Sequence, residues 1–395
     1  MRIRRCRHLF IEPRETLEFD LDVLLAGGDG LASTRRWVAL APHLDAEVDV
    51  DATALAVLGD CDVHAWRQCD ALLARHPREA IERLLAQGLL IGDHAGHAAL
   101  REREQALRDS HWWSPAAVAW SFARWQAVDT DGSGSSGDAA PRSTQDLIGR
   151  FGQPPAAVVE RGAPAQRLAL RPPSHSPLGE LLARRLTCRN FDARSVLPQA
   201  DFATVMHRVF AAHGQHELAP GAVALKKTSP SGGGLHPLEA YVLVQRVEGL
   251  APGLYHYHCV DHALEPLGGL ADDAAAALAR EFVAGQAWFA DAPVLLAMTA
   301  RFWRHQWKYR NHAKAYRVLH LEAGHFSQTL FLAAAELGLG AYVTAAINER
   351  AIERAFGLDG LQDGPLAVCG FGPRAARMAT FELDPARAVW ADEAR

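Results

Sequence analysis

The order of apolar and polar positions divides the chain into stretches of different character. Ala54, Leu55, Val57 and Leu58 fall at helical spacing, Ala71-Leu72-Leu73 follow, and Ile81, Leu84 and Leu85 mark a third amphipathic stretch. Gln87-Gly88-Leu89-Leu90-Ile91-Gly92-Asp93 reads as a helix closed by a glycine and leading into a short apolar strand. Three helices and a strand in that order predict a winged-helix-like segment over about 45–93. Downstream, His111-Trp112-Trp113-Ser114-Pro115 and Trp120-Ser121-Phe122-Ala123-Arg124-Trp125 predict an aromatic helix, better suited to core packing than to a substrate groove.

From Asp129 to Ala140 the chain holds nothing to bury and predicts a flexible linker. Pro154-Pro155, Pro164 and Pro172-Pro173 keep the next stretch extended. The expected organisation is an N-terminal domain over 1–128, a linker and extended connector over 129–177, and a second domain over 178–395. Within the last, Leu178-Gly179-Glu180-Leu181-Leu182 opens as a helix, and Tyr241-Val242-Leu243-Val244 and Pro365-Leu366-Ala367-Val368-Cys369 read as buried strands. Between them a helix is predicted over 318–337, where Leu319, Ala323, Phe326, Leu330, Ala333 and Ala334 suit a central buried or dimer-forming element. His325 on this helix reads as a satisfied core histidine in preference to a functional one.

Composition narrows the function classes. With 49% hydrophobic and 22% charged residues the chain is of ordinary globular type. A net charge of −5 offers no basic field for nucleic acid, and the 45–93 segment is itself acidic, so it is expected to dock a peptide or to serve as scaffold. Six cysteines without a CxxC pair argue against a zinc ribbon or a disulfide framework, so no metal site is expected and a reducing cytoplasm fits. The start, Met1 to Phe10, is basic, but Glu12, Arg14 and Glu15 stand where a signal peptide needs an apolar stretch of about 7–15 residues. No uncharged apolar run approaches the roughly 18 residues of a membrane span.

Three short motifs carry candidate chemistry. Ser229-Pro230-Ser231-Gly232-Gly233-Gly234-Leu235-His236-Pro237 brings bare backbone N–H groups within reach of a flat polar ligand. Arg184-Arg185-Leu186-Thr187-Cys188-Arg189-Asn190-Phe191 sets guanidinium groups around a hydroxyl, as a phosphate monoester requires. Gly370-Phe371-Gly372-Pro373-Arg374, at the end of a strand, could close over the same phosphate. Each alone also fits a turn or a basic surface stretch.

Taken in order and spacing, Arg185-x-Thr187-x-Arg189-x-Phe191, Pro230 to Pro237, Gly253-Leu254-Tyr255-His256-Tyr257, Lys308-Tyr309, Gly324-His325-x-x-Gln328, Gly338-Leu339-Gly340 and Gly370-Phe371-Gly372 resemble the nitroreductase superfamily. Within it they resemble the SagB-type peptide-maturation dehydrogenases. The likeness covers about Leu178 to Arg374; the front half resembles the variable front portion of such proteins only loosely. It implies an α+β fold with a central, mostly antiparallel sheet flanked by helices, a homodimer, and one FMN in each of two interface clefts. It further implies that Arg185, Thr187 and Arg189 hold the FMN phosphate and ribityl chain, with Gly372 and Arg374 beside the phosphate. Ser231, Gly232 and Gly234 would meet the ring system from the partner subunit, and Ala345 and Ala346 would present backbone to its N5 edge. Leu186 departs from relatives that carry a second cation there, which leaves only backbone contact.

In azoline-oxidising relatives a Lys-Tyr pair stands where Lys308-Tyr309 stands here. The chemistry needs a base for a ring-carbon proton, and a desolvated lysine beside a tyrosine can be tuned to that task. The alternative is a lysine snorkelling from a helix with Tyr309 packed in the core. The resemblance therefore implies an FMN-dependent dehydrogenase that oxidises thiazoline or oxazoline rings to azoles in a ribosomally synthesised precursor peptide, with a cyclodehydratase as a further partner. NAD(P)H-dependent reduction of nitro, quinone or dehydroamino-acid compounds, and a non-catalytic flavin-binding peptide scaffold, stay open beside it.

Overall fold

A computed structural model describes residues 1–130 and 143–390. Positions 131–140 of the expected linker lie outside the described residues. The main element is a six-stranded sheet in the order Ala263–Gly269, Gly253–His258, Leu238–Val244, Val294–Arg301, Asp363–Gly372 and Gly340–Thr344, with every pairing antiparallel. Its two middle strands pair Val242 with Leu296 and Leu243 with Leu295. Because successive side chains point to opposite faces, Val242, Leu296 and Met298 meet one core while Leu243, Leu295 and Ala297 meet another. Helices Gln199–Phe210 and Ala315–Glu336 cover the first face, and Asp272–Phe282 and Glu349–Phe356 cover the second. Burial on both faces is why these strands read as continuous apolar runs. The expected α+β class with a mostly antiparallel sheet is thus observed.

The long helix spans Ala315–Glu336, and its expected stripe, from Leu319 to Ala334, is buried inside the chain. That stripe cannot also form a dimer contact. The opposite side carries Leu321, 58% exposed, together with the exposed Gly324, His325 and Gln328. His325 is therefore a surface residue, which corrects the expectation of a core histidine: it lies off the 319/323/326/330 stripe.

In the front part, helices Ala52–Asp60, Cys69–Leu73 and Arg78–Ala86 precede the strand Leu90–Gly92 in the expected order. The small sheet runs Arg67–Gln68, Arg2–Arg5, Leu90–Gly92, so its middle strand comes from the start of the chain. A long hairpin, Phe10–Phe19 with Leu31–Leu40, and its neighbour Glu47–Val50 form a second sheet that the apolar pattern does not announce. The aromatic helix, Ser114–Ala123, packs Trp120 with the preceding Trp112 into the core of the large sheet, and their indole N–H groups donate to the Gly360 and Leu361 carbonyls at 2.6 and 3.1 Å. The division of the chain at 129–177 is carried forward as a proposal; across it, Asp45 pairs with Arg350 at 2.7 Å and Arg124 with Glu353 at 3.0 Å. Among the described residues no helix is long and apolar enough to cross a membrane.

Candidate functional site

The glycine run Gly232–Gly234 forms one 3₁₀ turn between Ser231 and the strand Leu238–Val244. Gly233 and Gly234 have φ of 64° and 70°, a region glycine occupies without strain. A side chain at Gly232 would collide with Val318 of the long helix. At Gly233 a Cβ would stand 2.6 Å from the Tyr309 hydroxyl and 2.9 Å from Lys308 Nζ. Gly234 is exposed and faces open space, with its N–H donated to the Ser231 carbonyl at 3.1 Å.

Beneath this turn lies a buried polar group. Ser231 Oγ donates to Glu322 Oε2 at 2.5 Å and accepts the His236 N–H at 2.9 Å. Glu322 is 1% exposed, and its Oε1 faces His236 Nδ1 at 4.0 Å; neither atom has a hydrogen-bond partner among the described residues. Burial pushes the Glu322 carboxyl up to about 7, against the opposing Ser231 bond and Lys227 charge. Burial, with Lys227, Arg304 and Lys226 adding to it, pushes His236 down to about 4. The pair lies at ion-pair distance, yet near neutral pH the imidazole is uncharged and no ion pair forms. His325 Nδ1 lies 3.2 Å from the Pro230 carbonyl and steadies the start of the loop.

Lys308 and Tyr309 follow the short helix Phe302–Gln306, and both backbone N–H groups donate to the His305 carbonyl at 3.3 Å. The buried His305 ring packs 4.9 Å from the Tyr309 ring, centroid to centroid. Lys308 Nζ lies 3.4 Å from the Gly233 carbonyl. Tyr309 is half-buried with its hydroxyl at the glycine turn rather than deep in the core, while Lys308 is exposed. The exposure differs from the expected desolvated lysine: bare glycine backbone beside it leaves the ammonium open to water in a single chain.

The basic motif packs against another part of the long helix. The Arg185 guanidinium sits 5.5 Å over the Phe331 ring, and Thr187 forms a parallel bridge with Ala341. The Arg189 and Asn190 N–H groups donate to Glu382 Oε1 at 2.5 and 3.0 Å. Arg374 and the Trp390 indole donate to Glu382 Oε2 at 2.8 and 2.9 Å. Arg374 is thus already neutralised by a buried carboxylate, and a phosphate would have to share it. Its other nitrogen reaches the Leu186 carbonyl at 3.4 Å, so Leu186 takes part through backbone alone. Gly372 is buried, and a Cβ there would overlap Pro293. The Ala346 N–H is taken by Thr344 Oγ1 at 3.2 Å, whereas Ala345 is exposed.

One chain therefore brings Ser231, the glycines, Lys308 and Tyr309 together, and separately brings Arg185, Thr187, Arg189 and Arg374 together. The anchors of the two clusters, Glu322 and Phe331, are nine residues apart on one helix, roughly 13 Å along its axis. An exposed glycine turn at one cluster and, at the other, a guanidinium without an acidic contact among the described residues fit a flat cofactor bearing a phosphate. Sequence reasoning gave no role to Glu322, although an acid in register with Leu319, Ala323 and Phe326 signals a buried polar group. Glu382 carried no such signal, as nothing periodic surrounds it.

Parts of the chain are similar to known proteins. A 136-residue segment is 32% identical to the Trifolitoxin-processing protein TfxB of Rhizobium leguminosarum bv. trifolii, covering 34% of this chain and 36% of that protein. A 158-residue segment is 30% identical to the Microcin B17-processing protein McbC of Escherichia coli, covering 39% and 56%. A protein of Methanocaldococcus jannaschii that carries a nitroreductase name is 35% identical over 130 residues, covering 32% and 61%. The matches thus reach between 36% and 61% of the length of these relatives. Among solved structures, the E. coli Microcin synthetase McbBCD complex with truncated pro-MccB17 bound is similar at a TM-score of 0.45 and 22% identity, over 68% of this chain and 97% of that one. Residues 182–373 match the Nitroreductase family, so this part of the chain is a nitroreductase-family domain, of a family that generally binds flavin.

Proposed function

We propose that the protein is an FMN-dependent dehydrogenase that matures a ribosomally synthesised peptide by oxidising thiazoline or oxazoline rings to azoles. The observation that carries this reading is the meeting of Lys308 and Tyr309 with the glycine turn at Gly233. The names of two relatives, as processing proteins for microcin B17 and trifolitoxin, support a peptide substrate and, with it, a precursor and a cyclodehydratase as partners.

Arg185, Thr187 and Arg189 hold the phosphate and ribityl chain, with Arg374 contributing charge it shares with Glu382. Ser231, Gly232 and Gly234 cradle the ring system, with Ala345 and Ala346 at its edge. Because the two clusters lie apart on one helix, a homodimer that sets the arginine cluster of one protomer against the glycine turn of its partner completes each site. When bound, FMN supplies the two-electron acceptor for the hydride that leaves the ring. The Lys308 amine takes the ring-carbon proton, so the ring loses one proton and one hydride. Tyr309, held against His305, orients the ring. Bound peptide and a second protomer together exclude the water that reaches Lys308 in a single chain.

Single-turnover mass spectrometry on a thiazoline peptide tests the reading by the loss of two hydrogens per ring. Lys308→Ala and Tyr309→Phe are expected to keep FMN and to slow ring oxidation by about 10²–10⁴-fold. Undiminished oxidation by both variants would overturn the assignment. Consumption of NAD(P)H without ring oxidation would select the reductase reading, which the nitroreductase-named relative favours.

A further inference from the structure

A groove of about 860 Å³ opens beside Lys308, between the glycine turn and the hairpin formed by Ala212–Ala219 and Ala222–Lys227. On one wall stand Trp303 and Trp307, one helical turn apart and 44% and 55% exposed. The exposed Leu218 and Val223 of the hairpin form the other wall. Indoles left in water beside further apolar side chains mark a surface that another molecule covers.

The charge in the groove has one sign. Arg301, Arg304 and Lys308 line it, and among the described residues no carboxylate does. Arg301 is paired with Glu239 at 2.9 Å. Arg304 donates to the Leu235 and Val223 carbonyls at 2.7 and 3.3 Å, and Lys308 reaches the Gly233 carbonyl and stands 5.8 Å over the Tyr309 ring. Two positive charges therefore stand without a carboxylate in contact, flanked by indole and aliphatic surface.

We infer that this groove holds the stretch of substrate peptide next to the reacting ring, and that it selects acidic and apolar side chains there. The inference rests on the peptide-maturation reading above, since it takes the groove to lead to Lys308. Carboxylates of the peptide meet Arg304, its apolar side chains lie against Trp303 and Trp307, and covering the groove withdraws Lys308 from water. A specificity rule follows: rings flanked by aspartate or glutamate and an aromatic residue are engaged before rings flanked by lysine.

The test uses FMN-loaded protein and two fluorescein-labelled thiazoline peptides that differ only in carrying aspartate or lysine beside a common phenylalanine. By fluorescence anisotropy the aspartate peptide is expected to bind roughly tenfold tighter at low salt, with the advantage shrinking at high salt. Trp307→Ala should weaken it by roughly five- to tenfold with unchanged FMN content and Tm. Leu218→Glu, which sets a carboxylate in the wall, should shift preference toward the lysine peptide. Equal affinities for both peptides, no binding of either, or displacement of the aspartate peptide by stoichiometric NADPH would each overturn the inference. Binding is read without turnover, so the two claims separate. Selective binding without loss of hydrogens sinks the oxidation reading alone, and ring oxidation with equal affinities sinks the groove alone.

Discussion

Glu322 stands where a carboxyl is costly to ionise, and its surroundings say when it does so. Burial, with Glu239 of the strand adding to it, raises its value from the ordinary 4.5 to about 7 against the Ser231 bond from the loop and the Lys227 charge from the hairpin; His236 faces it from the loop at 4.0 Å. A raised value means the folded state holds the proton more tightly, so the contribution to stability is complete below pH 4.5 and is lost as pH rises through about 7. Glu322→Gln removes that dependence. In urea unfolding at pH 5 and pH 8, the wild type should lose on the order of 3 kcal/mol more than the variant across the interval. Parallel losses would mean that the carboxyl is ionised throughout. At the other cluster, Arg189→Ala should lower FMN affinity about tenfold or more, while Arg184→Ala, an exposed position outside the phosphate motif, should not. Fluorescence titration of FMN into apoprotein decides it; equal losses would put the motif out of register.

Among the elements, the glycine turn offers a paired comparison. Gly233→Ala and Gly234→Ala both force a side chain into left-handed backbone, a strain of about 1 kcal/mol each. Only at Gly233 does the new Cβ also press on Tyr309 and Lys308. Gly233→Ala should therefore lower Tm and ring oxidation clearly more than Gly234→Ala, and equal effects would detach the turn from the Lys-Tyr pair. Which elements were legible follows from their burial. The strands Leu238–Val244 and Asp363–Gly372 and the helix Ala315–Glu336 are packed on several sides, so their apolar periodicity is strong. The hairpins at Phe10–Leu40 and Ala212–Lys227 are exposed along most of their length and alternate too weakly to be read. Lys308 and Tyr309 could be named from the chain because the resemblance to azoline-oxidising relatives places a Lys-Tyr pair there. Their meeting with Gly233 could not, since 75 residues separate Lys308 from the turn.

For the whole molecule, the expected assembly is decided by what the long helix leaves uncovered. Its apolar stripe is spent on the sheet, so the face with Leu321, Gly324, His325 and Gln328 is the one a second copy would cover. Light scattering of the FMN-loaded protein should give about twice the 43.0 kDa of one chain. A 43.0 kDa particle with bound FMN would exclude the shared site. Leu321→Asp should favour the monomer and release FMN with it.

The buried Glu382 has a consequence in time as well as in space. Its bond to the Arg189 N–H closes a span of 193 residues, and it also takes the Asn190 N–H and the Arg374 guanidinium. Contacts so distant in sequence form late, because the entropy of closing the loop must be overcome first. On the ribosome the loop that carries Thr187 and Arg189 emerges long before its clasp does. Until residue 382 has left the exit tunnel, that loop lacks the carboxylate that fixes its backbone. Nascent chains are thus expected to stay colourless until residue 382 has emerged, and flavin capture reports that this clasp has closed.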